Sequence, residues 1–459
     1  MIPSLTHHAS LVRACLLISV LSLTFTACTP EPVALQQAPF RMDDELQRQI
    51  EVATAKLGLE GYVMPHPEDL PNVPADPKNP LTPEKVRLGR WLYHETGLAL
   101  DAKRPEGVLT YSCASCHHAP AGFQANRRQG IGDGGSGFGR AGEGRFKDAN
   151  YEPSELDVQP IRTPTVLNVA FQEVMLWNGQ FGATGANQGT EAAWTAGTPK
   201  ALNHLGYQGV EIQAIAGLEV HRLRVDRATL ADLGYLDEFD RVFADFPESE
   251  RYTRETAGLA IAAYERTLLP DQAPFQRWLR GDTEALTYRQ KFGGKLFFGE
   301  AGCANCHHGP GLNGPGFYAL GMPDLMGPEI FNSPLQDPAH LGRGGFTGNM
   351  DDLYKFKVPQ LYNLKDSPFL GHGGTFRSVR EVIEYKNAAR PENLRVSEVQ
   401  LADGFTPLNL TPEEIDALVD FVENALYDPQ LQRFEPRALP SGLCFPNADE
   451  RSRQDMGCD

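Results

Sequence analysis

The sequence predicts a mostly α-helical protein with long loops, built from two copies of one unit. The clearest regular patterns are helical, because cap-like segments precede apolar residues at helical spacing after Thr82, Ser378 and Thr411. Ser378-Val-Arg-Glu381 has the form of a capping box. No long apolar–polar alternation of the kind that marks β-strands occurs. The 45 Gly and 35 Pro residues in 459 indicate extensive loops.

The repeat consists of four matching segments that occur twice in the same order. We predict one copy at residues 76–275 and the other at 276–436. An N-terminal arm and linker at 29–75 would carry a short helix around Met42–Leu57, and 437–459 would form a tail. The paired segments begin at Gly89 and Gly293, at Cys113 and Cys303, at Arg162 and Lys357, and at Trp177 and His372.

Each copy contains one Cys-x-x-Cys-His motif, Cys113-Ala-Ser-Cys116-His117 in the first and Cys303-Ala-Asn-Cys306-His307 in the second. The motif predicts covalent attachment of c-type haem, since two thiols add to the vinyl groups and the following His binds iron. A zinc site or a thioredoxin-like pair could use the cysteines, but neither needs the trailing His twice. The sequence therefore predicts two covalently bound haem c groups in two cytochrome-c-like domains in tandem.

The first residues predict export and lipidation. Arg13 precedes an apolar run, Ala14 to Phe25, that is too short to span a bilayer. The run leads into Thr26-Ala27-Cys28, which resembles a bacterial lipobox, so residues 1–28 would hold a lipoprotein signal peptide and the anchored Cys28. An ordinary cleaved signal is the alternative. By the same resemblance, Thr29 favours the outer membrane. We expect a periplasmic protein that contacts the membrane only through this anchor.

Two cysteines remain in the tail, Cys444 and Cys458. In an oxidising compartment they would form a disulfide, and two free thiols are the alternative. The formal net charge of -17 argues against a nucleic-acid partner. The glycine-rich segment Gly130 to Gly144 reads as a loop that is too polar and flexible to belong to the core.

Several segments together resemble the bacterial di-haem cytochrome c peroxidases, a family that includes MauG, over about residues 78–425. The resemblance implies an enzyme in which hydrogen peroxide reacts at the N-terminal haem, with His117 as proximal ligand. The second haem, with His307 as proximal ligand, would relay electrons. The segments are Leu81-Thr-Pro-Glu-Lys85, both haem motifs, Arg162-Thr-Pro164-Thr, Trp177-Asn-Gly179, Phe356-Lys-Val-Pro359 and His372-Gly-Gly374.

The resemblance also implies roles around the first haem. Peroxidases of the family place a distal His before the Arg-x-Pro-Thr segment, but residues 119–161 contain no His, so this haem would be open to peroxide. The family's acid–base Glu and its assisting Gln match Glu219 and Gln213 best. Trp177 would carry electrons between the haems. Calcium is a weaker implication, because Arg162 stands where the family has a ligating Asn.

The family supplies the sixth ligand of the second haem, Met or Tyr, from the helix that follows Ser378. The alignment puts Lys386 at that position with Tyr385 as the alternative, and a neutral Lys would be required. The same offset in the first copy is Gly217, which would leave that haem open.

The sequence is compatible with three functions. A peroxidase would reduce hydrogen peroxide with electrons from a small cytochrome c or a cupredoxin. A MauG-like oxidase would use peroxide to modify a residue of a partner protein, and the missing Met favours it. A plain di-haem electron carrier would need two six-coordinate haems, and the lack of a distal His in 119–161 argues against it.

Overall fold

The computed structural model describes residues 33–53 and 58–458, with side chains described from residue 41 onward. The predicted signal peptide and the lipid-anchor residue Cys28 lie outside the described residues. No helix in the described ranges is long and apolar enough to cross a bilayer.

Helices dominate the regular structure of the described residues, which confirms the mostly α class. The two short antiparallel strand pairs are β1 (Gly135–Ser136) with β2 (Phe146–Lys147), and β3 (Phe317–Tyr318) with β4 (Phe356–Lys357). A π-helical turn, Phe421–Ala425, continues the twelfth helix. The α-helices are α1 (Val33–Ala53), α2 (Pro83–His94), α3 (Gly209–Val220), α4 (Arg227–Asp232), α5 (Leu236–Val242), α6 (Glu248–Arg251), α7 (Arg254–Arg266), α8 (Pro274–Leu279), α9 (Tyr288–Phe298), α10 (Arg343–Thr347), α11 (Val379–Ala388), α12 (Pro412–Asp420) and α13 (Glu450–Met456).

The predicted helix starts are largely confirmed. The Thr82 hydroxyl accepts the N–H of Lys85 at the start of α2, and Thr411 forms a complete capping box before α12. Ser378 caps α11, but the Glu381 carboxylate accepts the N–H of Arg377 instead of the N–H of Ser378. The capping box predicted there is therefore only half formed.

The helix of the N-terminal arm differs from its predicted bounds of Met42–Leu57. It begins earlier, with described bounds of Val33–Ala53, and residues 54–57 lie outside the described residues. Its buried residues include Leu46 and Ile50, one turn apart, and this spacing places an apolar stripe against the core.

The internal repeat appears as two equivalent helix crossings. A Cβ atom at Gly89 in α2 would overlap the backbone carbonyl of Ala260 in α7. A Cβ atom at Gly293 in α9 would likewise overlap the carbonyl of Ala417 in α12. Glycine therefore allows the helix before each haem motif to cross its partner backbone to backbone.

The buried apolar residues form two main clusters. The first draws on α2, α3 and α7, and the second on α8, α9 and α12. Phe434 follows the second cluster in sequence, yet its ring lies 6.2 Å from that of Phe123 in the first. The chain thus returns to the first cluster at its end, and the domain limits at 76, 275 and 436 stay predictions.

The glycine-rich segment is mostly loop, as predicted, with the two-residue strand β1 inside it, but the expectation that it lies outside the core is wrong. Most of residues 130–139 are buried. The tail covers them, because Asp449 accepts the N–H of Gly137 at 2.9 Å and Asp455 accepts those of Phe138 and Gly139 at 2.8 Å. Because glycine has no side chain, the carboxylates can approach the backbone of this segment closely. The predicted disulfide between Cys444 and Cys458 in the tail is confirmed.

Candidate functional site: two haem-attachment segments

The first Cys-x-x-Cys-His segment forms a tight turn that brings its donors together. Cys113–Ser115 is one 3₁₀ turn, and the N–H of His117 donates to the carbonyl of Cys113 at 3.2 Å. The hydroxyl of Tyr93 in α2 donates to the carbonyl of His117 at 2.7 Å. The helix of the repeat therefore fixes the backbone that carries the His.

The donor set of this segment fits a covalent haem. Cys113 and Cys116 are not paired in a disulfide, and burial raises the pKa of both thiols to about 12. Burial, followed by the charge of the nearby His221, lowers the pKa of His117 to about 4, which leaves a neutral imidazole able to bind iron. Its Nδ1 is buried with no hydrogen-bond partner among the described residues.

The second segment repeats this geometry. Cys303–Asn305 is a 3₁₀ turn, and the N–H of His307 donates to the carbonyl of Cys303 at 2.9 Å. His307 Nδ1 donates to the carbonyl of Leu312 at 3.0 Å, so Nε2 is left for a metal. Burial, and then the charge of the nearby Lys386, lowers the pKa of His307 to about 4. The residues of both segments fit haem c.

Helix α3 presents a half-buried face with room for a further side chain at Gly217. A Cβ atom built at Gly217 would lie 3.9 Å from Gln213 Nε2 and 3.9 Å from the His221 ring, with no closer neighbour. Gln213 Oε1 is buried and has no hydrogen-bond partner among the described residues. A buried amide oxygen without a hydrogen-bond partner, on the same helix face as this space, is consistent with a position that binds a ligand.

The two residues predicted for proton transfer do not share this face. Glu219 is exposed, and it follows Gly217 by two residues, or about 200° around the helix axis. The structure thus brings Gln213 to the face that includes Gly217 and directs Glu219 to another side of α3.

A histidine that sequence reasoning missed completes the Gln213 face. His221 follows α3 directly, and its Nδ1 lies 2.8 Å from Asp157 Oδ2. The available signal was its position four residues after Gly217, since residues at this spacing share a helix face.

Lys386 and Tyr385 lie in different surroundings on α11. The Tyr385 side chain is buried, and its hydroxyl donates to the carbonyl of Leu320 at 2.6 Å. Lys386 is close enough to the second segment for its charge to lower the pKa of His307, and burial lowers its own pKa. Lys386 is the residue that the fold directs toward the second attachment segment.

Trp177 connects the two copies of the repeat. Its indole Nε1 donates to the carbonyl of Arg162 at 2.8 Å in the first copy. In the second copy, its carbonyl accepts the N–H of Lys357 at 2.8 Å, and its ring lies 6.3 Å from that of His372. The indole is half-buried between the segments that follow the two haem motifs.

Arg162 stands where the resemblance implies a calcium-ligating Asn. Its guanidinium is buried and donates to Gln124 Oε1 at 2.7 Å and to Ser367 Oγ at 2.8 Å. Burial lowers its pKa to about 9. Among the described residues, no group of three or more His, Cys, Asp or Glu side chains is arranged to hold a metal ion.

The helical fold and the two attachment segments define a di-haem protein of the cytochrome c type. A family model described as di-haem cytochrome c peroxidase matches residues 83–284. Cytochrome-c peroxidase IdrP1 of Denitromonas iodatirespirans is 30% identical over 378 residues, which cover 77% of this chain and 84% of that relative. MauG of Methylorubrum extorquens is 28% identical over 369 residues, which cover 79% of this chain and 83% of MauG.

A solved structure shares the fold. The crystal structure of a MauG-like protein associated with microbial copper homeostasis gives a TM-score of 0.54 at 22% identity, covering 79% of this chain and 96% of that one. The chain belongs to the family of di-haem cytochrome c peroxidases and MauG. It is an enzyme of the haem oxidoreductase class, and the predicted family and tandem cytochrome-c-like fold are confirmed.

Proposed function

We propose that the protein is a periplasmic peroxidase that reduces hydrogen peroxide at an open first haem. The haem would be held by Cys113, Cys116 and His117. The single observation that carries this proposal is the open space at Gly217, where the second copy of the repeat has Lys386. A haem held by these residues would supply the iron that binds peroxide and electrons for cleavage of the O–O bond.

The protein's own groups would bind and orient the peroxide. The unsatisfied Gln213 Oε1, on a side chain of the Gly217 face, would accept a hydrogen bond there. Glu219 is the acid–base residue that the family implies, and its exposed position requires its side chain to reach around α3. Tyr93 keeps the His117 backbone fixed while the substrate exchanges.

Electrons would enter at the second haem, held by Cys303, Cys306 and His307, and pass through Trp177. The indole hydrogen bond to Arg162 and the ring contact with His372 support this route, because they place an aromatic ring between the two copies. The donor would be a small cytochrome c or a cupredoxin.

A second function is favoured by Lys386. Met at this position would stabilise ferrous iron, whereas an amine ligand stabilises ferric iron and favours the holding of oxidising equivalents. A MauG-like oxidase that uses peroxide to modify a partner protein would need this property. Peroxide turnover with candidate proteins, followed by peptide mass analysis, separates this function from electron-donor peroxidase activity.

The periplasmic location and the lipid anchor at Cys28 are part of the same proposal. The tail disulfide supports export, since disulfides persist in oxidising compartments. Radiolabelled palmitate should be incorporated into the wild type in the native host and not into Cys28→Ser. Membrane fractionation should place the wild type in the outer membrane, and soluble unlabelled wild type would contradict the anchor.

The mature protein should exceed its chain mass by two haems, because each Cys-x-x-Cys-His segment offers free thiols beside a neutral His. Intact mass spectrometry after acid extraction measures this directly. Cys113→Ser with Cys116→Ser should leave one haem, and loss of all haem on extraction of the wild type would contradict covalent attachment.

Trp177→Phe should leave peroxide binding at the first haem intact and slow oxidation of the ferrous second haem, because the indole route is removed. Stopped-flow absorbance at the two haems after mixing with peroxide measures both rates. Trp194→Phe is the matched control, since Trp194 bonds locally to Thr190. Equal rates in Trp177→Phe and wild type would make Trp177 a packing residue.

A further inference from the structure

His221 and Asp157 form a dyad beside the first attachment segment. His221 Nδ1 lies 2.8 Å from Asp157 Oδ2, and the two side chains are 38% and 5% exposed. A carboxylate accepts the Nδ1 proton in this arrangement and fixes the tautomer, so Nε2 is free to exchange a proton elsewhere. No role for this pair follows from the residues matched to the family.

The buried glycine-rich loop holds the Asp157 backbone in place. The N–H of Gly132 donates to the carbonyl of Asp157 at 2.9 Å, and the N–H of Asp157 donates to that of Asp133 at 3.0 Å. A Cβ atom at Gly132 would lie 2.6 Å from Asp157 Oδ2, so glycine makes room for the carboxylate. The loop therefore orients Asp157, and the Asp157 carboxylate in turn orients His221.

The same loop also holds the backbone next to His221. Arg222, the next residue after His221, donates to Asp133 Oδ2 at 2.7 Å, and the Asp133 side chain is fully buried. Asp133 also accepts the Tyr151 hydroxyl at 2.6 Å. The His221 backbone and its carboxylate partner are thus anchored to one rigid segment.

The dyad lies close to the proposed peroxide position. The His221 ring and the Gln213 amide flank the open space at Gly217. A charge on His221 lowers the pKa of His117, and Asp157 contributes to the raised pKa of the Cys116 thiol. Burial lowers the pKa of His221 itself, but the Asp157 carboxylate outweighs burial, and the net shift is upward.

We propose that His221, oriented by Asp157, is the catalytic residue that moves the proton during peroxide cleavage. This inference rests on the proposed function and names its acid–base group. His221 Nε2 takes the proton from one peroxide oxygen and returns it to the other. The O–O bond then breaks, one water leaves, and two electrons come from the haem groups. Two further protons from solvent complete the second water, so one peroxide consumes two electrons and two protons.

The test compares His221→Gln, Asp157→Asn and wild type, each with both haems confirmed by mass. His221→Gln should slow the reaction with peroxide by about 10²–10⁴-fold, the usual loss for a positioned acid–base group. Asp157→Asn should give a smaller loss in the same direction. His66→Gln is the matched control, because His66 lies 3.9 Å from a carboxylate of Asp271 and its side chain is 57% exposed.

Cyanide association with the ferric enzyme gives a readout that needs no turnover. Hydrogen cyanide must lose its proton to bind iron, so removal of the base should slow association in His221→Gln and not in His66→Gln. If His221→Gln reacts with peroxide and with cyanide as fast as the wild type, the proposal is overturned. It is also overturned if electron paramagnetic resonance shows a low-spin first haem in the wild type and a high-spin one in His221→Gln, because His221 would then be an iron ligand.

Different outcomes test the peroxidase function and the role of His221. A wild type that does not react with peroxide would contradict the proposed function, while slower cyanide association in His221→Gln would still support the acid–base role. A reactive wild type with an equally reactive His221→Gln would contradict only the role of His221. Glu219→Gln, measured alongside, reports on the residue that the family implies.

Discussion

Replacing Glu211 by Ala should lower the free energy of unfolding by about 3–5 kcal/mol, the usual cost of leaving one member of a buried ion pair alone. Arg266 donates to Glu211 through Nε at 2.9 Å and through a second nitrogen at 2.7 Å, and both side chains are fully buried. In Glu211→Ala the guanidinium would keep its charge in the core and lose its carboxylate. Urea denaturation followed by circular dichroism measures the loss.

The surroundings of this pair explain the size of the effect. Asn79 also donates to Glu211, at 3.2 Å, and the neighbouring Glu265 is buried. Burial, and then the charge of Glu211, raises the pKa of Glu265 to about 8, so in the wild type this carboxyl is largely protonated at neutral pH and Glu211 is the carboxylate that balances Arg266.

Two variants control the measurement. Arg104→Ala removes a partly exposed ion pair with Glu155 and should leave the denaturation midpoint close to that of wild type. The double variant Glu211→Leu/Arg266→Met should recover much of the stability, because it removes both charges together. A single Glu211→Ala variant as stable as wild type would show that the buried pair adds nothing to stability.

The haem-attachment segments could be predicted from the sequence because their donor residues are close together in the chain. Cys113 to His117 are adjacent in the chain, and the turn that groups them needs no distant residue. The helix caps at Thr82 and Thr411 are local for the same reason. The repeat matched Gly89 with Gly293, and the structure gives both the same kind of close helix crossing, because similar segments in the same order form similar contacts.

The residues that sequence reasoning missed depend on distant contacts. His221 and Asp157 are 64 residues apart, and only the folded loop around Asp133 brings them together. The burial of the glycine-rich loop depends on a tail more than 300 residues further along the chain. Glu219 was the best match to the family's Glu by residue type and order along the chain, and the helix period places it away from the Gly217 face.

Lys386→Ala should convert the ferric second haem from low to high spin, while Tyr385→Phe should leave its spectrum unchanged. Tyr385 is held by its hydrogen bond to Leu320 and by ring contacts with Phe376 and Phe405. Lys386 is directed toward the second segment, and burial lowers its pKa, which favours the neutral amine that can bind iron. Electron paramagnetic resonance and absorbance of the resting enzyme measure the change.

The control and the alternatives follow from the same helix. Lys365→Ala removes a lysine that stacks on Tyr427 and should leave both haem spectra as in wild type. If neither α11 variant alters the second haem, its sixth ligand comes from elsewhere, and three methionines are the next to test. Met322 is the first of them, because it is half-buried beside Gly371, whereas Met326 and Met350 are 47% and 73% exposed.

An amine ligand has a further consequence for the potential of the second haem. Amines stabilise ferric iron relative to thioethers, so this haem should have a lower midpoint potential than that of Met-ligated relatives. Its ferric spectrum should lack the weak near-infrared sulfur-to-iron band. Lys386→Met, which offers a thioether from the same helix position, should introduce that band. It should also raise the midpoint potential in a spectroelectrochemical titration. A wild-type spectrum that already shows the sulfur band would assign the ligand to a methionine and exclude Lys386.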